Sequence, residues 1–112
     1  LYVEELRDLY SAETQLLKAL PRMAKAASAP ELRAAFTEHY EVTVGQVERL
    51  DRIFAELGAK AKGKKCQAME GLVAEGKGVM GEDGEPAVLD AALIAAAQRI
   101  EHYEISAYGS AR

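Results

Sequence analysis

The sequence predicts an all-α protein, a bundle of three long helices with a short crossover helix. Three long stretches repeat apolar residues at i, i+3, i+4 and i+7, which places them on one side of a helix. No stretch alternates with period two for long enough to argue a strand. Breaks rich in proline or glycine, near 28–30, 58–64 and 76–84, separate the helical patterns.

Residues 1–26 read as a long amphipathic helix. Tyr2, Leu6, Leu9, Tyr10, Leu17, Leu20 and Ala24 recur at helical spacing, and Glu13 sits near the centre of the stripe. Glu4, Glu5 and Asp8 suit the positive end of the helix dipole. Pro21 cannot donate to the carbonyl of Leu17 and is expected to bend this helix. Ser28-Ala-Pro-Glu31 is a capping-box pattern with proline in the first turn, which predicts a second helix over 29–57. Its apolar side is Phe36, Tyr40, Val44, Val47, Leu50 and Phe54, and Leu57-Gly58 supplies the stop. So short a break between two such helices implies an antiparallel hairpin.

Residues 58–64 form a basic linker. Residues 65–75 are expected to make a short helix with Cys66, Met69, Glu70 and Val73 on one side, and 76–84 to be a loop. Pro86 can occupy the first turn of the last helix, 86–111.

Length and composition bound the function. The 112 residues make one domain with a modest core. A net charge of −4 argues against a nucleic-acid surface. Cys66, the single cysteine, allows no internal disulfide and fits a reducing, cytoplasmic compartment. No apolar run approaches the ~20 residues of a membrane span. The chain begins at Leu1 rather than Met and stops at Arg112 without a helix stop signal, so a fragment is expected.

Chemistry is concentrated in Gln98–Tyr108, QRIEHYEISAY, above all in Glu101-x-x-Glu104. Leu93, Ala96, Ala97, Ile100, Ala107 and Tyr108 make one side of that helix apolar, with Glu104 near the middle of the stripe and Glu101 on its shoulder. Unpaired carboxylates inside a bundle cost several kcal/mol of desolvation, so they need a partner. Glu13 lies mid-helix on another buried side. Inward glutamates from different helices are how carboxylate-bridged di-metal sites are built in four-helix bundles, and iron(II) or manganese(II) suits such ligands. The tetrapeptide EHYE occurs at 38–41 and again at 101–104, either an internal duplication or chance. On the second helix His39 and Gln46 fall on the shoulder of the stripe, with Glu38 and Glu41 further round. His39, and Glu41 if the helix is rotated slightly, are the added ligand candidates, while His102 points away. Tyr10 and Tyr108 can hydrogen-bond such ligands.

Other patterns carry less. Gly76-x-Gly78-x-x-Gly81 has no preceding strand and no βαβ unit, so it is no dinucleotide site. The acidic 82–85 run lacks calcium-loop spacing. Cys66 reads as a small buried hydrophobe, and Lys60, Lys62, Lys64 and Lys65 as residues that keep the linker solvated.

The runs LRDLYSAETQLLKALPRMA, GQVERLDRIF, CQAMEGLVAEG and DAALIAAAQRIEHYEISAYG closely resemble the YciE/YciF stress-protein family of ferritin-like bacterial proteins. The resemblance covers nearly the whole chain. It implies a rubrerythrin-like bundle with helices paired as hairpins, a homodimer, an association with stress responses, and a further bundle helix beyond this chain. Carried over by residue, Glu13 matches the first-helix ligand, and Glu101 and Glu104 the third-helix carboxylates. On the second helix Thr43 and Gln46 stand where a Glu-x-x-His is expected, and no Glu-x-x-His occurs anywhere in the chain.

Two functions are therefore expected to compete. One is a metal-binding bundle that holds iron or manganese and, if redox-active, reduces peroxide or oxygen at a carboxylate-bridged pair of ions. The other is a metal-free structural or interaction bundle whose inward glutamates are met by arginines such as Arg7, Arg49 or Arg99, or by water. In a third, weaker reading an exposed bundle face pairs with another protein.

Overall fold

The computed structural model describes residues 2–61, 65–81 and 84–110. Four helices occupy them: α1, Tyr2–Ala26; α2, Pro30–Leu57; α3, Gln67–Met80; and α4, Pro86–Ser110. No strand occurs among the described residues. Lys62 and Lys64 of the linker and Glu82-Asp83 of the acidic run lie outside them.

α1 is the central element and packs against each of the other three helices. Its strong apolar stripe explains this: Leu6, Leu9, Ala12, Leu16, Ala19, Leu20 and Met23 are all buried. The helix continues through Pro21, which sits on the exposed side. α2 folds back antiparallel, so that Leu6 and Leu9 near the start of α1 pack with Leu50 and Phe54 near the end of α2. Gly58 closes α2 in the left-handed conformation (φ 66°), and the N–H groups of Gly58 and Ala59 bond back to Ala55 and Phe54.

The start of α2 differs from the expected capping box. Ala29, not Ser28, is the N-cap residue, and no side chain of the turn caps the helix. Instead the Asp90 carboxylate of α4 accepts from the backbone N–H groups of Ser28 and Ala29, each at 2.8 Å. A charged acceptor from a neighbouring helix displaced the local hydroxyl, because it satisfies two amides where serine would satisfy one.

α3 also differs from expectation. It extends to Met80, so residues 76–80 are helical rather than loop. Gly76 and Gly78 each disfavour a helix by ~1 kcal/mol. The buried stripe continues past them nonetheless: Met69 and Gly76 are buried, and Leu72, Val73, Val79 and Met80 pack on the main core. Cys66 precedes the helix as its N-cap residue. The Cys66 amide donates to Ser11 Oγ at 2.8 Å, and Gln15 Nε2 donates to the Cys66 carbonyl at 3.0 Å. α3 thus starts against the middle of α1 and runs parallel to it, ending beside Met23.

α4 runs antiparallel to α1 and α3. Asp90 marks its early turns at the α1–α2 connection, and Tyr103 reaches the other end of α1, donating to Asp8 Oδ2 at 3.0 Å. Tyr103 Oη also lies 3.0 Å from the buried Cys66 thiol, linking three helices by side chains.

Candidate metal centre

Between α1, α2 and α4 three polar side chains come together, two of them buried and one half-buried. Glu13 is fully buried (0% exposed) and Glu104 nearly so (9%). His39 of α2 lies across from Glu104, with His39 Nε2 and Glu104 Oε1 3.0 Å apart. Below His39, the hydroxyl of the fully buried Thr43 donates to the His39 carbonyl at 2.7 Å, which fixes that turn of α2. The two EHYE runs therefore meet through opposite ends, the histidine of the first with the last glutamate of the second.

The electrostatics of the three groups are linked. Burial, and then the neighbouring Glu104, push the Glu13 carboxyl up to about 9. Burial acts on Glu104 in the same sense, but the hydrogen bond to His39 and the proximity of Glu13 and of the imidazole outweigh it and hold Glu104 below the usual carboxylate range. The hydrogen bond to Glu104 raises His39 against the opposing effect of burial. Near neutral pH the metal-free chain thus holds a neutral Glu13 acid beside an ionised Glu104, whose charge favours the protonated form of His39. Burial and the nearby Glu13 raise the Tyr108 phenol. Among the described residues neither Glu13 oxygen nor the Tyr108 hydroxyl has a hydrogen-bond partner.

A groove of about 400 Å³ between α2 and α4 opens onto this cluster, lined by His39, Gln46, Glu101, Glu104 and Tyr108. Val42 and Ile105 form its rim and are 52% and 72% exposed.

The candidates named from the sequence divide on this geometry. Glu13, Glu104 and His39 come together. Glu101 is exposed at the groove wall, not inward as the helical wheel places it, yet near enough to help raise His39. Glu41 is exposed and does not line the groove. Tyr108 and Gln46 line it, whereas Tyr10 packs edge-on against Phe54, ring centres 6.0 Å apart, in the second core cluster. The arginines expected to neutralise the inward glutamates do not reach them. Arg7 pairs with Glu4 at 2.6 Å and Arg99 with Glu75 at 2.8 Å, and Arg49 is not paired with Glu13 or Glu104. Among the described residues, no three acid, imidazole or thiol side chains form a ready-made metal cage. The helical wheel centres the apolar side of the second helix near Tyr40, Thr43 and Val47, and Thr43 is indeed fully buried.

The fold and the cluster define a helical bundle with an acid–acid–imidazole chain buried where three helices meet. No described helix is long and apolar enough to cross a membrane. The chain belongs to the stress-protein family described as Domain of unknown function (DUF892), which it matches over residues 1–112. It is similar to Protein YciF of Escherichia coli (strain K12), 48% identical over 110 residues that make up 97% of this chain and 66% of that protein. It therefore spans just under two thirds of that relative's length. The crystal structure of the E. coli stress protein YciF superposes with a TM-score of 0.92 at 48% identity, covering 98% of this chain and 70% of that one. YcfI of Rhodopseudomonas palustris, described as a putative structural protein, superposes with a TM-score of 0.93 at 45% identity, with the same coverage.

Proposed function

We propose that the Glu13–Glu104–His39 cluster is the protein's half of a site for iron or manganese in a ferritin-like bundle. The observation that carries this reading is Glu13: a fully buried carboxyl, with no hydrogen-bond partner among the described residues, beside a second buried carboxyl. Such an arrangement is costly unless a proton or a cation offsets it. The donor set, two carboxylate groups and one imidazole, suits a hard or borderline divalent ion. Glu13 and Glu104 would hold the ion, with His39 as nitrogen donor and Glu101 swinging in from the groove wall. The remaining ligands would come from a segment or second chain seated on the groove. A redox-active ion bound there supplies electron transfer to a small oxidant such as peroxide. The chain's own residues exclude bulk water, set the ligand charge and take up or release the protons of Glu13 and His39. The resemblance to stress proteins and the exposed apolar rim, Val42 and Ile105, support a homodimer, and the unpaired Cys66 supports a cytoplasmic setting.

A second reading has its own observation. The metal-free cluster already offsets its own charge, with Glu13 a neutral acid and Glu104 bonded to His39, and no preformed three-ligand cage occurs among the described residues. In that reading the bundle is structural. Elemental analysis of full-length protein purified without chelator, beside a Glu13→Ala/Glu104→Ala double variant, separates the two. Stoichiometric iron or manganese in the parent, lost in the variant, supports the metal centre. Absence of metal in both, with no rise in the parent's unfolding temperature on adding manganese(II), leaves the structural bundle.

A further inference from the structure

We propose that the cleft between α1 and α3 binds a short phosphate chain, as inorganic diphosphate or the diphosphate of a nucleotide. The cleft lies away from the Glu13 cluster and holds about 150 Å³. Lys18 and Arg22, one turn apart on α1, face Lys65 before α3 and Lys77 in its last turn, with Val73 in the wall. No carboxylate lines it, although the chain as a whole carries a net charge of −4. Among the described residues Lys18, Arg22 and Lys77 have no carboxylate within 4.0 Å, and only Lys65 is paired, with Glu70 at 3.3 Å. Lys18 and Arg22 of α1 and Lys77 of α3, with no carboxylate partner among the described residues, repel one another across the cleft, and a compact polyanion relieves that repulsion. Arginine offers a fork that matches phosphate oxygens, and lysine a mobile point charge.

The walls are held in place. Gln15, which also lines the cleft, ties the start of α3 to α1 through the Cys66 carbonyl, and Ser11 holds the Cys66 amide. The spacing of Lys18 and Arg22 therefore keeps its register with Lys65. A chain of two phosphates offers more oxygens and more charge to cations on both walls than a single phosphate does.

The test is titration calorimetry of the metal-free, full-length protein with inorganic diphosphate, orthophosphate and a nucleoside diphosphate at low ionic strength. Metal-free protein keeps chelation at the acidic cluster out of the signal. The expected result is saturable binding of one diphosphate per chain, weaker binding of orthophosphate, and weakening as salt is added. Lys18→Ala/Arg22→Ala should lower the affinity by about tenfold or more. Lys77→Glu, on the other helix, should do the same, and Lys25→Ala outside the cleft should not. These side chains are exposed, and far-ultraviolet circular dichroism checks that each variant folds. Equal affinity for the two diphosphates assigns the site to the phosphate chain; tighter nucleotide binding adds a contact from the base to the apolar wall. The proposal is overturned if the parent shows no saturable binding, if the cleft variants bind as the parent does, if Lys25→Ala loses as much, or if single-stranded RNA binds while diphosphate does not.

Discussion

Glu13→Gln should stabilise the metal-free protein near neutral pH and flatten its response to pH. The folded protein holds the Glu13 carboxyl at about 9 against an ordinary 4.5, so folding takes up a proton between those limits. The sign follows from the raised value. The contribution of the buried neutral acid is fully present below the ordinary carboxylate range and is lost as pH climbs toward about 9. One proton taken up on folding corresponds to about 1.4 kcal/mol of stability lost per pH unit across that window. At pH 7 the ionisable group therefore costs roughly 3 kcal/mol, which a neutral amide of the same shape does not incur. Urea unfolding in the presence of chelator, at pH 5.5 and 6.5, reads the effect directly. Over that unit the parent should lose about 1.4 kcal/mol more than the glutamine variant. His39 is present in both proteins, so the difference isolates Glu13. Equal slopes in parent and variant would refute the assignment of Glu13 as a buried neutral acid.

Three further outcomes are expected. Asp90→Ala leaves the Ser28 and Ala29 amides without their acceptor and should cost about 2–4 kcal/mol by urea unfolding, with Asp90→Asn milder because one carbonyl oxygen remains. If the acidic cluster binds manganese(II), binding must displace the protons of Glu13 and His39, whose values are raised, so affinity should climb from pH 5.5 to 8. Calorimetry in two buffers of different ionisation heat counts those protons, and a count of zero contradicts the ligand assignment. Cys66 should resist thiol reagents until the protein unfolds, and Tyr103→Phe, which removes the partner of both the thiol and Asp8, should cost about 1 kcal/mol without exposing it; rapid labelling of native protein would count against this.

The helices and their buried sides were legible because periodicity reports burial. Glu13 stands out as a charge inside an unbroken apolar stripe, and its complete burial follows from that position. Glu104 was legible for the same reason. Glu101 was not, since a shoulder position on a wheel becomes inward or outward according to what packs beside it, and here the neighbouring groove is open. The pairing of His39 with Glu104 depends on two helices 65 residues apart meeting at one height, which no local pattern encodes. The length of α3 was hidden by its glycines, whose local preference yielded to the packing of Val79 and Met80. The same applies to the cations of the α1–α3 cleft: Lys18, Arg22 and Lys77 look like ordinary solvated positions until α3 is laid along α1. Periodicity placed Thr43 on the buried side of α2, and the resemblance supplied the expected ligand pattern, from which Thr43 and Gln46 depart.

The clasp made by Asp90 has a consequence for how the chain folds. α1 and α2 are joined by residues 27–29 and find each other through contacts close in sequence, which form at small loop-closure cost. The acceptor for the amides at that turn arrives from 61 and 62 residues away. An early hairpin of α1 and α2 alone therefore leaves two N–H groups at its bend to water. Docking of α4 supplies the missing acceptor. The second half of the chain thus acts as a checkpoint on the first, and the bend becomes rigid only in molecules whose last helix has reached its place.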